Sequence, residues 1–201
     1  MVCVILHPIH TRVVVIARIL TDIAILTNVD STASQRCYGS SWISCLHKRN
    51  ILDFTVFKPT AIASSKILQK VSENKELDER ERELFSKAVE RFNEICSLAH
   101  ERDVKILVDA EESWIQDAID QIVLKMMLKY NKEKAIVYNT SQMYRHDRLK
   151  YLNSLKEIAK KEQIFIGIKL VRGAYIEKEN KRALKNNYKS PICSSKDLTD
   201  V

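Results

Sequence analysis

Short apolar segments alternate four times with amphipathic helical patterns in this 201-residue chain, and that alternation constrains its fold more than any other feature. The predicted strands lie at residues 53–59, 104–109, 135–140 and 164–171. The helical patterns follow them at residues 65–103, 114–126, 146–162 and 177–187. Strands separated by helices pair in parallel through right-handed crossovers. The pattern therefore predicts an α/β fold, either a (β/α) barrel or a doubly wound sheet.

Glycine content separates these two architectures. The chain contains only three glycines, which are too far apart to form a Gly-x-Gly-x-x-Gly fingerprint after any strand. A nucleotide-binding doubly wound sheet relies on that fingerprint at its first strand-to-helix turn. We therefore predict a partial TIM-type (β/α) barrel with about four strand-helix units.

Charge and cysteine usage exclude several classes of function. The net charge of +7 is spread over Lys/Glu-rich helices, and no aromatic residues are interleaved with a basic run, so nucleic-acid binding is disfavoured. The five cysteines include no Cys-x-x-Cys pair, and the five histidines are scattered. Neither a metal site nor a disulfide framework is expected, and a reducing compartment is the simpler interpretation.

The first 50 residues differ in texture from the rest. Residues 1–50 hold five Lys/Arg and two Asp/Glu, against 28 and 24 in the remaining 151 residues. The apolar span 13–27 is interrupted by Arg18 and Asp22 and is shorter than the ~20 residues that a membrane-spanning helix needs. We predict a leader of uncertain structure at 1–50, no transmembrane segment, and the barrel domain at 51–201.

Polar residues gather where the predicted strands end. They are Lys58 after the first strand, Asp109, Glu111 and Glu112 after the second, Gln142 after the third, and Lys169 and Arg172 in the fourth. Barrel enzymes place their chemistry on this face. Two cations followed by the small residues Gly173 and Ala174 and by Tyr175 predict a floor for a planar, anionic ligand.

Each of these residues also has a structural interpretation. Buried cations are usually paired with carboxylates, so Asp109 is as readily explained as a partner of Lys58. The two glutamates after it are typical of the first turn of a helix, where they complement its dipole. Gln142 is typical of a loop hydrogen bond.

Four segments together resemble the proline dehydrogenase family of flavin-dependent barrel enzymes. They are Phe-Lys-Pro at 57–59, Val-Asp-Ala-Glu-Glu at 108–112, Tyr-Asn-Thr-Ser-Gln-Met-Tyr at 138–144 and Lys-Leu-Val-Arg-Gly-Ala-Tyr at 169–175. They occur in the family's order and spacing, each at a strand end. The resemblance covers residues 51–201 and does not extend to 1–50.

The resemblance implies a role for each residue of these segments. Asp109 and Lys169 correspond to the catalytic residues, Asp109 near the substrate and Lys169 beside the flavin. The substrate site implied by the family consists of Lys58, Asp109 and Tyr175. The FAD contacts implied by the family are Ala110, Gln142, Lys169, Arg172, Gly173 and Ala174.

The activity that the resemblance implies is the oxidation of L-proline to 1-pyrroline-5-carboxylate by hydride transfer to FAD, the first step of proline degradation to glutamate. It also implies a quinone or another membrane electron acceptor. The expected location is the cytoplasm at the inner face of a membrane, or alternatively the mitochondrial matrix.

Length sets a limit on that expectation. A closed barrel has eight strands and about 250 residues, whereas the sequence predicts four strands and lacks the family's late arginine pair. We therefore expect a fragment that binds flavin weakly or not at all by itself. Two alternatives stay open: a Schiff-base barrel enzyme that uses Lys169, and a non-catalytic half-barrel that self-associates through open sheet edges.

Overall fold

One mixed sheet forms the centre of the molecule. The computed structural model describes residues 2–6 and 54–195. The strands are β1 (Val2–Leu6), β2 (Phe54–Phe57), β3 (Lys105–Val108), β4 (Val137–Gln142) and β5 (Ile166–Val171). They lie side by side in the order β1–β5–β4–β3–β2. Strands β2 to β5 are parallel, as the alternation predicted, which confirms the four strand-helix units.

Strand β1 joins this sheet from the other direction. It pairs antiparallel with β5, from Val2 opposite Leu170 to Leu6 opposite Ile166. The predicted leader is described by the structure only in this strand. Its other residues lie outside the described part of the chain, and the domain boundary at residue 51 stays a prediction.

In the described part of the chain, five α-helices and one short 3-10 turn follow strands β2 to β5. The turn is Pro59–Ala61, and the helices are α1 (Ser65–Ser72), α2 (Glu79–Glu101), α3 (Ser113–Tyr130), α4 (Arg148–Glu162) and α5 (Ile176–Lys185). The single helix predicted over 65–103 is wrong, because two helices occupy that span. A capping box starts the second one: the Asp78 carboxylate accepts the Glu81 amide proton, and the Glu81 carboxylate accepts that of Asp78.

The helices cover one face of the parallel sheet and build the main core there. Side chains alternate along each strand, so every second residue faces the helices. The buried apolar residues of this layer include Ile106, Val108, Val137, Ile166 and Ile168 from the strands and Phe92, Cys96, Ile115, Ile119 and Val123 from the helices. Burial raises the pKa of the Cys96 thiol to about 12, as expected of an inert core cysteine.

A buried polar network links two of these helices to β4. Asp120 of α3 accepts from Gln116 and Asn139 at 2.8 Å through one carboxylate oxygen, and from Arg148 of α4 at 2.7 Å through the other. Asn139 also donates to the Tyr151 hydroxyl at 2.9 Å. Every oxygen of the Asp120 carboxylate is therefore occupied, and the network fixes α3 and α4 against the sheet.

Helices often end at a glycine with positive φ, but α1, α2, α4 and α5 are followed by other residues in that conformation. Asn74, Asp103, Gln163 and Asn187 have φ between 51° and 54°, just past the ends of α1, α2, α4 and α5. The amide of the residue after each one bonds back to a carbonyl five positions earlier, as Val104 does to Ala99. At these four positions a residue with a side chain adopts a conformation that usually favours glycine.

Among the described residues, no helix combines the length and apolar character that crossing a bilayer requires.

Candidate functional site

Strand register brings the predicted polar residues onto the face of the sheet away from the main core. Leu107 of β3 pairs with Tyr138 of β4, and Thr140 of β4 pairs with Lys169 of β5. Paired residues of neighbouring strands point to the same face. Counting in steps of two from these pairs assigns the following residues to that face, all at its carboxyl edge: Lys58, Asp109, Gln142 and Lys169.

Lys169 and Asp109 form an ion pair across β4. The Lys169 ammonium donates to the Asp109 carboxylate at 3.0 Å, and the two side chains are 13% and 29% exposed. Thr140 lies between them and donates its hydroxyl proton to the Val108 carbonyl at 2.9 Å. The pair is half-sheltered at the strand tips, where a ligand can reach it.

Lys58 reaches the loop that follows β5. Its ammonium donates to the Tyr175 hydroxyl at 3.3 Å. Burial lowers the pKa of Lys58, but the Tyr175 hydrogen bond and the charges of Asp109 and Glu111 raise it, and the net shift is upward. The interpretation of Asp109 as the bonded partner of Lys58 is wrong, because Asp109 bonds Lys169 and acts on Lys58 only through its field.

Glu111 is a site residue to which the sequence assigned no chemistry. It is only 6% exposed and lies outside helix α3, which begins at Ser113. Its carboxylate accepts the Thr60 amide proton at 2.9 Å and the Thr60 hydroxyl proton at 2.7 Å. The first-turn prediction is therefore wrong for Glu111. It is wrong for Glu112 too, which occupies the N-cap position before the first turn of α3 and pairs with Lys178.

The side-chain amide of Gln142 has a bonded nitrogen and, within the described part of the chain, an unpaired oxygen. Its Nε2 donates to the Glu111 carbonyl at 2.6 Å, while its buried Oε1 has no partner among the described residues. Buried acceptors are rarely left unpaired, and each one costs about 1–3 kcal/mol. An N–H group of a bound ring is the kind of donor that Oε1 lacks. This is the observation that makes the site fit a flavin.

Gly173 has a packing reason for being glycine. Its φ is +133°, and a Cβ built on it lies 1.1 Å from Cε1 of Tyr144. The Tyr144 ring therefore fills the space beside the backbone, and the Tyr144 amide donates to the Arg172 carbonyl at 2.8 Å. Burial, reinforced by the Glu179 carboxylate, raises the pKa of Tyr144 to about 12. A flavin contact at Gly173 stays a prediction.

The remaining predicted cofactor residues differ in exposure. Ala110 is buried directly before Glu111, and Arg172 is exposed at the end of β5. An open cavity of about 380 Å³ is lined by Gly173, Ala174, Tyr175, Ile176, Glu177 and Lys178. The structure thus brings Lys58, Tyr175 and Ala174 to one side of the strand tips.

A second buried glutamate braces this side. Glu179 of α5 is fully buried and accepts from the Ser113 amide and hydroxyl, both at 2.6 Å. Its carboxylate therefore lies at the amino-terminal end of α3. The contact holds α5, and with it Tyr175, against the start of α3.

Together these features define a class of protein: a (β/α)-barrel half that carries cations, a carboxylate and an open amide acceptor at its strand tips. The family model described as "Proline dehydrogenase" matches residues 20–201. The chain therefore belongs to the proline dehydrogenase family. The match begins inside the segment 1–50, which the sequence resemblance left out.

Individual relatives match over parts of the chain. Proline dehydrogenase 1, mitochondrial, of Drosophila melanogaster is 44% identical over 113 residues, which are 56% of this chain and 17% of the fly protein. The human protein of the same name is 31% identical over 162 residues, 80% of this chain and 26% of the relative. The carbapenem antibiotics biosynthesis protein CarD of Pectobacterium carotovorum is 36% identical over 130 residues, 65% of this chain and 35% of CarD. The chain thus spans a sixth to a third of these relatives.

Solved structures support the barrel assignment. A proline utilization A structure from Bradyrhizobium japonicum superposes with a TM-score of 0.66 at 19% identity, covering 81% of this chain and 16% of that one. The protein from Bdellovibrio bacteriovorus gives 0.66 at 18% identity, covering 81% and 18%. At this identity the likeness concerns the fold, and it confirms the prediction of a partial (β/α) barrel.

Proposed function

We propose that this chain contributes the strand-tip site for the oxidation of L-proline to 1-pyrroline-5-carboxylate, with FAD as the hydride acceptor. One observation carries the proposal: Lys58, Asp109, Gln142 and Lys169 converge on one face and one edge of the sheet in a member of the proline dehydrogenase family. FAD, when bound, supplies the electron-accepting chemistry. The side chains supply orientation and charge.

Lys58 is the group that we assign to the substrate carboxylate. Its ammonium is exposed enough to meet a ligand, and its raised pKa keeps it charged at neutral pH. The Tyr175 hydroxyl holds it at 3.3 Å. A cation fixed in this way orients proline and lowers the entropic barrier to transfer.

Lys169 and Gln142 are the groups that we assign to the flavin. The Lys169 ammonium places positive charge at the strand tips, where it stabilises negative charge that develops on a bound ring. Asp109 holds that ammonium at 3.0 Å and so limits its motion. The open Oε1 of Gln142 is available to accept a ring N–H.

The Schiff-base alternative receives no support from the geometry. A nucleophilic lysine needs an uncharged amine in an apolar pocket. Lys169 is instead paired with the carboxylate of Asp109. No observation favours this alternative over the flavin reaction.

The compartment and the electron acceptor belong to the proposal too. The fly and human relatives carry the word mitochondrial in their names, which supports the matrix over the cytoplasm. We propose a membrane quinone as the acceptor of the electrons.

The test uses the whole 201-residue chain and supplies FAD and L-proline in excess, because a partial barrel is expected to bind flavin weakly; robust turnover would refute that expectation. We expect flavin absorbance to decrease on addition of proline, and dye reduction to depend on proline. Lys169→Met and Gln142→Leu should weaken both signals, while Lys160→Met, which removes an exposed lysine of α4, should leave them unchanged. Failure of proline to reduce FAD at any concentration, together with borohydride trapping of a carbonyl compound on Lys169, would replace the proposal.

A further inference from the structure

We propose that Glu111 is the positioning residue of the site, which holds Lys58 and Gln142 in a single arrangement. This inference rests on the proposed function insofar as those two residues meet substrate and flavin. The geometry itself is independent of it. Glu111 joins the turn after β2 to the end of β4 and is the only described residue bonded to both.

The first half of the argument concerns the side chain of Glu111. Both carboxylate oxygens are used on one residue, Thr60, through its amide at 2.9 Å and its hydroxyl at 2.7 Å. Only Pro59 separates Thr60 from Lys58, and its ring restricts the backbone at that point. The Ala61 amide also donates to the Lys58 carbonyl at 3.0 Å. The carboxylate therefore fixes the backbone from which the Lys58 ammonium extends.

The second half concerns the backbone of Glu111. Its carbonyl accepts from Nε2 of Gln142 at 2.6 Å, and its amide donates to the side-chain oxygen of Gln116 at 3.4 Å. Because Nε2 of Gln142 is bound to the Glu111 carbonyl, Oε1 is the atom that remains without a partner in the part of the chain that the structure describes. A rotation of the Glu111 backbone would therefore change the acceptor offered to a ring.

The negative charge of Glu111 stabilises the Lys58 ammonium, which a neutral side chain at this position would not do. Its carboxylate is 6% exposed, and among the described residues no cation lies within ion-pair distance of it. The Lys58 ammonium is a nearby positive charge that the carboxylate stabilises. A buried carboxylate without a direct cation is costly, so its field on Lys58 is part of what compensates it.

Lysine NMR tests the inference without relying on turnover. Reductive ¹³C-methylation labels every lysine of the full chain, and Lys58→Arg assigns the Lys58 signal. Glu111→Gln keeps groups that can bond Thr60 but removes the charge, so the Lys58 titration midpoint should move to lower pH with a single sharp signal. Glu111→Ala also removes the bonds, so the signal should broaden or divide. Thr60→Val keeps the charge and should broaden the signal with a smaller change of midpoint.

Glu112→Gln is the matched control, because the neighbouring carboxylate pairs with Lys178 and should leave Lys58 unchanged. In the proline assay, Glu111→Ala should raise the KM for proline about tenfold, with Glu111→Gln restoring part of the loss. A Lys58 signal that is identical in wild type, Glu111→Gln and Thr60→Val overturns the inference even if Glu111→Ala fails to fold. A responsive signal in a chain that never oxidises proline would instead refute the proposed function and leave the positioning role intact.

Discussion

Two ion pairs lie on opposite faces of the same sheet and differ in how their polar atoms are bonded. Asp120 and Arg148 are 8% and 4% exposed, and both oxygens of the carboxylate are occupied by donors. Lys169 and Asp109 are 29% or less exposed but lie at the strand tips, beside a buried acceptor of Gln142 that is still open. The Asp120 carboxylate is saturated with donors, and the neighbouring open group is a donor, Nε of Arg148, whereas the strand-tip region keeps an open acceptor for a ligand.

The two regions should differ in whether removal of a charge lowers the stability of the fold or the binding of a ligand. A saturated buried pair that loses one member leaves an uncompensated charge in the core, which destabilises the fold. A pair near the surface regains water instead, so its loss changes stability little. The helix-facing network should therefore govern folding, and the strand-tip residues should govern ligand binding.

The largest effect is expected from Asp120→Ala. Removing this carboxylate leaves Arg148 and Asn139 without their acceptor inside the core. We expect a loss of about 3–5 kcal/mol in the free energy of unfolding, measured by urea denaturation. Asp117→Ala, at an exposed position of the same helix, is the control and should change stability far less. Equal losses for the two variants would contradict the comparison.

Gly173→Ala is expected to come next. The new methyl group would overlap the Tyr144 ring, and the positive φ disfavours any L-residue. Backbone strain and overpacking together predict a loss of roughly 2–4 kcal/mol, measured by thermal unfolding. This variant is expected to affect both stability and ligand binding, because it alters packing beside the ligand site. A Tm equal to that of wild type would show that Tyr144 moves aside freely.

Asp109→Asn should separate stability from function. It breaks the half-sheltered pair with Lys169, so the unfolding free energy should change by less than about 1 kcal/mol. FAD-dependent oxidation of proline should decrease at least tenfold, because Lys169 loses the group that holds it. Asp103→Asn, which removes an exposed pair with Lys134, is the control for both measurements. A stability loss as large as that of Asp120→Ala would remove the distinction between the regions.

The smallest expected effect is a divergence in pH dependence. Burial opposes ionisation of Asp147, but Arg148 and Arg145 lower its pKa below the ordinary 3.8, so its contribution is present above that value and is lost in acid. The pKa of Lys58 is raised above 10.5, so its contribution is present below that value and is lost in alkali. Unfolding followed from pH 2 to 11 should show Asp147→Asn losing stability at neutral and alkaline pH, with the difference from wild type vanishing in acid. Lys58→Met should lose stability at neutral and acid pH, with the difference shrinking in alkali.

Much of this fold could be predicted because it follows from local periodicity. The alternation of strands and helices predicted the parallel units, and barrel topology predicted that polar residues of the strand ends, among them Asp109 and Lys169, lie on one face. The break between α1 and α2 was missed because its signal is a single capping box at Asp78. Strand β1 was missed because its pairing with β5 joins residues far apart in the chain.

The strand-tip positions of the charged residues could be predicted, whereas the contacts that support them could not. The role of Glu111 depends on Thr60, 51 positions earlier in the chain, and no local pattern records that contact. The same holds for Glu179, which meets Ser113 66 positions away. Gly173 could be recognised as special, but the ring that requires it became evident only in three dimensions.

The direction of β1 has one more consequence. Five backbone positions of β5 already have antiparallel partners, so the rim of the sheet beyond Ile166–Leu170 is not vacant. A further strand running with the other four could join there only by first peeling away the amino-terminal segment. Addition of a strand at that edge would thus require displacement of β1, and slowed amide deuteration of residues 166–170 would report that the edge is occupied.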